Sequence, residues 1–138
     1  MTAWKYVERQ VARLTGGVRS WDTDIDVIVP TEWPHGKPPL ADEFSGGELL
    51  GAARAGAMLG WGIEVKHLTS PTVAEIERFL EHNAKKLERL GVSGRLINAL
   101  VIKRKAGIGT STPYLLVVPI SEFDLGGLST YQEEDTSE

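Results

Sequence analysis

Cysteine is missing from all 138 residues. That excludes disulfides and thiolate metal sites. Long apolar runs are missing too, so no segment reads as a bilayer span and no membrane partner is expected. The N-terminal stretch is amphipathic and polar, unlike a secretory signal, and a cytoplasmic location is the default expectation. Net positive charge is also lacking: the formal charge is −4, which by itself argues against a partner rich in phosphate. The distribution softens that. Glu133, Glu134, Asp135 and Glu138 lie beyond Tyr131, leaving 15 of the 19 acids to balance 15 lysines and arginines in the body. Basic residues gather late, at Lys85, Lys86, Arg89, Arg95, Lys103, Arg104 and Lys105. A local basic face fits this pattern, and so does a solvated helix face followed by a hairpin tip. The length suits one domain with a single core over residues 1–128, and residues 129–138 read as a disordered acidic tail.

Periodicity supplies the elements. Trp4, Val7, Val11 and Leu14 recur at helical spacing before Gly16-Gly17, which predicts a first helix over 3–15. Glu8 lies beside that apolar stripe. Residues 25–29 have strand composition, and residues 30–47, rich in Pro and Gly, read as loop. Residues 48–59 are either a short helix weakened by glycines or part of an ordered insertion over 44–60. The clearest helix is 72–90, with a capping box at Thr72/Glu75 and a stripe of Val73, Ile76, Leu80, Leu87 and Leu90. Asn83 falls on that stripe, where a buried amide needs partners. Residues 96–104 and 114–118 are near-continuous apolar runs, as for strands covered on both faces. Phe123 and Leu125 read as a closing segment. The predicted fold class is α/β: a small mixed central sheet flanked by helices.

One run carries chemistry. In Ile63-Glu64-Val65-Lys66, strand alternation places Glu64 and Lys66 on one face and Ile63 and Val65 on the other. Glu/Lys pairs of this kind are also common on solvated strands. Here, however, a carboxylate able to hold a divalent cation projects beside an ammonium able to orient water, the pairing that metal-assisted phosphodiester hydrolysis needs.

Four features together resemble the PD-(D/E)xK nuclease superfamily, and within it the archaeal and phage-type Holliday junction resolvases. Trp4 to Arg19 is similar to that family's first helix and glycine turn, with Glu8 in its Glu-Arg position. Ile63-Glu64-Val65-Lys66-His67 is similar to its catalytic strand. A long capped helix follows. An apolar strand then runs into Lys103-Arg104, a Gly/Ser/Thr hairpin and a second apolar strand. The resemblance spans about residues 4–120.

The resemblance implies a restriction-endonuclease-like core and a Mg²⁺-dependent endonuclease, with Mn²⁺ as a substitute. It acts in DNA recombination or repair by cutting four-way junctions. It also implies a metal-binding Asp before the catalytic strand. Leu40-Ala41-Asp42-Glu43 is most similar to that stretch, which favours Asp42; Asp24, Asp26, Glu43 and Glu48 are rivals. By the same analogy Asp42, Glu64 and the Val65 carbonyl ligate metal, and Glu8 holds a metal-bound water or a second ion. Lys66 positions the nucleophile. Asn83 bonds the scissile phosphate or Lys66, while Arg19, Ser20, Lys103, Arg104 and Lys105 meet the DNA backbone. His67 is more often a strand-end residue than a base. Branched DNA would be the partner of a C2 homodimer, with Trp21 and Trp33 as exposed aromatic candidates. Alternatives are another nuclease on the same core, restriction-like or repair, or a non-catalytic DNA-binding module.

Overall fold

The computed structural model describes residues 3–33 and 44–123, with side chains from residue 5 onward. The elements run α1 (Ala3–Thr15), β1 (Val18–Arg19), β2 (Val27–Glu32), α2 (Gly46–Arg54), β3 (Leu59–Leu68), α3 (Val73–Arg89), β4 (Leu96–Arg104) and β5 (Tyr114–Val117), followed by a 3-10 turn at Ile120–Glu122. The strands form one open mixed sheet in the order β1-β2-β3-β4-β5. Only β3 and β4 are parallel, joined through α3; the other neighbours are antiparallel. The α/β class is as expected.

Strand alternation divides the core in two. Ile63 and Val65 of β3 join Val27, Ala99 and Val101 beneath Val7, Val11 and Ala12 of α1. On the other face Ile28 and Leu96 pack with Leu49, Leu50 and Ala53 of α2 and Leu87 of α3. Glu64 and Lys66 belong to this second face. Gly62 precedes them, and a Cβ there would lie 2.7 Å from Leu87 Cδ2, so the bare backbone lets α3 settle against the sheet.

The Thr72 cap of α3 is formed as predicted: Thr72 Oγ1 accepts from Glu75 N–H, and Glu75 Oε1 accepts from Thr72 N–H. Ser45 and Glu48 make the same reciprocal cap on α2. Residues 44–60 thus do more than interrupt the chain. They build a buried helix and the first turn-in to β3.

Other departures have simple causes. β2 runs through Pro30, which the sequence places in a loop. β1 begins opposite Ile28, so Pro30 lies outside that pairing and owes no donor on that side. β4 is covered on both faces, but Leu115 and Leu116 of the edge strand β5 are 53% and 55% exposed. Leu14 and Val73, at the ends of their stripes, are exposed. Trp33 is half-buried against Phe44 and the core, while Trp21 is exposed as expected. Phe123 packs edge-on to Trp61 at 5.8 Å, a closing contact; Leu125 and residues 129–138 lie outside the described residues.

Leu49 is fully buried. If α2 is part of the core, Leu49→Ala should lower unfolding free energy by about 2–5 kcal/mol. Urea denaturation measures this, and a loss below about 0.5 kcal/mol would make α2 an appendage.

Candidate active site

The register of β2 on β3 pairs Val27 with Ile63, which brings Asp26, just ahead of β2, beside Glu64. Asp26 Oδ2 accepts a hydrogen bond from Val65 N–H at 2.8 Å. The N–H and C=O of one strand residue leave from the same edge, so the Val65 carbonyl also faces the gap where β2 has ended. Asp42 lies outside the described residues, as does Glu43. Among the described acids it is Asp26 that joins Glu64. Asp24 turns outward and pairs with Arg89 at 3.1 Å. Glu48 is spent on the α2 cap.

Glu64 is 3% exposed. Its Oε1 meets two ammonium groups, Lys66 Nζ at 3.8 Å and Lys86 Nζ at 3.4 Å. Its Oε2 is buried without a hydrogen-bond partner. The two lysines differ. The Lys66 side chain is about one-third exposed, with its ammonium 4.8 Å from the centre of the Phe79 ring. Lys86 is buried and also donates to the Asp24 carbonyl at 2.9 Å. Sequence reasoning counted Lys86 only as part of a basic run. Its single legible signal is position: it stands immediately before Leu87 of the apolar stripe.

Glu8 reaches the cluster from α1, buried, and accepts from Arg19 Nε at 3.0 Å. Burial, then the Asp26 charge, pushes its carboxyl above the ordinary range. Burial also raises Asp26, with Glu64 adding to the shift, while the Val65 N–H, Lys86 and Lys66 oppose it. Among the described residues no three His, Cys, Asp or Glu side chains come close enough to enclose a metal ion on their own. The site offers hard carboxylate and carbonyl oxygens beside two ammonium groups.

The remaining expected residues divide. Asn83 is fully enclosed, donating to Gly62 O at 2.9 Å and to Asn98 Oδ1 at 2.8 Å, and Asn98 in turn donates to Leu80 O. It fastens α3 to the sheet and has no open path to a phosphate. Ser20 is buried too, hydrogen-bonded to Thr23 under the start of α2. Lys103 donates to the Thr112 carbonyl and stands over Tyr114, so it serves its own hairpin. Arg104 and Lys105 are exposed. They lie at the end of β3 beside His67, whose imidazole is pushed below its ordinary range by burial, then by Lys105 and Lys103.

Comparison with protein-family models, curated proteins and solved structures finds no match to this chain. Among the described residues no helix is long and apolar enough to cross a membrane.

Two predictions follow from the charges. Asp26 and Glu8 hold protons more readily folded than unfolded. Between the ordinary carboxylate pKa and the raised folded value, the folded state binds more protons, so stability is lost as pH rises through that window. Asp26→Asn keeps an acceptor for Val65 N–H and removes the charge. In EDTA its Tm should exceed wild type at neutral pH, with the gap closing below about pH 4; a lower Tm at neutral pH would reverse this account of Asp26. The lysines should differ in the opposite way from their closeness in sequence to Glu64. Lys86→Met strands a buried carboxylate and should cost about 3 kcal/mol or more. Lys66→Met, nearer solvent, should cost under about 1 kcal/mol. Equal losses in urea melts would mean that both lysines are equally desolvated.

Proposed function

We propose that this chain is a metal-dependent endonuclease of the PD-(D/E)xK type, acting on branched DNA as a Holliday junction resolvase. The observation that carries the reading is the placement of Asp26, just ahead of β2, beside Glu64 of β3, with Lys66 two residues on and Glu64 Oε2 buried and unbonded. The element order supports it as well: a helix, an antiparallel three-strand unit, a capped crossover helix and a parallel strand. The departure from a compact restriction-endonuclease-like core is α2, between β2 and β3.

The donor set fits a hard divalent cation. Asp26, Glu64 Oε2 and the Val65 carbonyl are oxygen ligands, and two carboxylates suit Mg²⁺ or Mn²⁺, which keep several waters. The raised carboxyls of Asp26 and Glu8 fit too, since a cation would relieve both. When bound, such an ion supplies a Lewis acid at the phosphoryl oxygen and acidifies water.

The chain's own residues do the rest. Asp26 and Glu64 would hold the ion. Lys86 neutralises Glu64 Oε1 from the buried side, which leaves Oε2 unbonded. Lys66, partly open to solvent, hydrogen-bonds the attacking water and offsets charge gathering on the phosphate. The water's oxygen bonds to phosphorus as the bond to the leaving oxygen breaks, and the leaving oxygen takes up a proton. Glu8, held by Arg19, would orient a water at such an ion. Arg104 and Lys105 meet phosphates away from the cut. Two symmetric cuts in a junction call for a C2 homodimer with two such sites.

The test is cleavage of a labelled synthetic four-way junction, with duplex and flap controls, in Mg²⁺ or EDTA. Wild type should make paired Mg²⁺-dependent nicks in the junction alone, and Lys66→Ala should slow them about a hundredfold or more while junction binding persists. Cutting of duplex or flap instead keeps the site and replaces the substrate. Full activity in Lys66→Ala removes Lys66 from the chemistry, and no cutting of any substrate by the folded protein leaves a DNA-binding module.

A further inference from the structure

Beside the acid cluster, between α1, the Gly16-Gly17 turn and the start of α2, lies a cleft of about 730 Å³. Arg9, Arg13, Arg19, Trp21, Phe44 and Glu48 line it. Arg19 belongs to both places: its Nε holds Glu8, and the same side chain forms part of the cleft wall. Trp21 is 76% exposed, an uncommon setting for so large an apolar ring.

We propose that this cleft receives an unpaired nucleotide of the DNA strand, its base stacked on Trp21 and its phosphates met by Arg13 and Arg19. The proposal rests on the nuclease reading for the identity of the polymer, and deepens it by naming the state of the nucleotide next to the cut. Three chemical features select this ligand.

The first is charge. Arg9, Arg13 and Arg19 line the cleft with Glu48, and even with Glu8 counted against Arg19 the guanidinium groups outnumber the carboxylates three to two, so the cleft favours an anion. The N-terminus of α2 is not the receptor, because Asp22 Oδ2 already accepts from Gly47 N–H at 3.1 Å. The arginines must serve instead, and their planar forked donors suit phosphate oxygens.

The second is the ring. An exposed indole next to cations matches the pairing of stacking platform and backbone-tracking charge by which proteins hold single strands. The third is geometry. A base inside a duplex already has both π-faces covered by its neighbours, so Trp21 can stack only on a base that is unpaired or turned out. The cleft would then hold a strand at the point where pairing is interrupted, with Arg19 linking that point to Glu8 and the acids.

The test is done in EDTA with the full chain, so that no cutting occurs. Fluorescence anisotropy compares a short labelled single strand with a strand of the same length in which abasic residues replace the bases, for wild type, Trp21→Ala and Arg13→Gln. Wild type should bind the normal strand roughly five- to a hundredfold more tightly than the abasic one. Trp21→Ala should erase that difference, and Arg13→Gln should weaken both strands and flatten the salt dependence. Equal affinity of wild type for the two strands overturns the proposal, and so does no binding to either. A base preference that persists in Trp21→Ala with an unchanged far-UV spectrum also overturns it. Junction cleavage by the Lys66 variant is read separately, so failure here leaves the nuclease assignment standing and failure there leaves this one.

Discussion

Everything near the site answers to one constraint: a carboxylate sits in the middle of a central strand, away from water. An ionised group in that position is costly unless opposite charge and hydrogen bonds surround it. Lys86 meets the need from beneath, and Lys66 from the solvent side. Both reach the same oxygen. The other oxygen is left without a partner, and burial also weighs on the neighbouring Asp26 and Glu8. Three carboxylates meet three cations here, yet burial still holds two of the acids above their ordinary range and leaves Glu64 Oε2 unbonded, a condition that a bound ion would relieve.

The sheet makes the cluster by stopping one strand early. β2 pairs with β3 only as far as Val27 opposite Ile63. Past that point the edge of β3 is free of a strand neighbour, and the Asp26 carboxylate takes the Val65 N–H in place of a backbone carbonyl. A side chain thus completes what the ladder leaves undone. α1 closes the same end from the opposite layer by sending Glu8 in, steadied by Arg19.

Local features were legible in the sequence, and long-range ones were not. The capping box at Thr72/Glu75, the period of α3 and the alternation in Ile63–Lys66 are properties of short windows, and each is present. Asn83 announced itself as a buried amide in need of partners, which its Nδ2 has and its Oδ1 lacks, although its position inside the α3–sheet contact could not be told from one facing a site. The partner acid was harder. Asp26 and Val65 are 39 residues apart, and only strand register relates them. Family-like spacing pointed to Asp42 instead. Lys86 was hidden because a lysine between Lys85 and Leu87 reads as the margin of a solvated face; its burial depends on where α3 lies over β3. The exposure of β5 was hidden because an apolar run looks the same at the edge of a sheet as at its centre.

The placement of α3 returns to Gly62. The near contact of this glycine with Leu87 sets how deeply the helix seats, and Lys86 is the adjacent residue on that helix. Glu64 stands two positions further along β3. The gap between a buried acid and its buried base is therefore governed by a missing methyl group elsewhere on the strand. A side chain at 62 would act as a shim. It would prise the helix away, lengthen the Lys86–Glu64 contact and admit water to a charge the fold keeps dry, without altering any residue of the site itself.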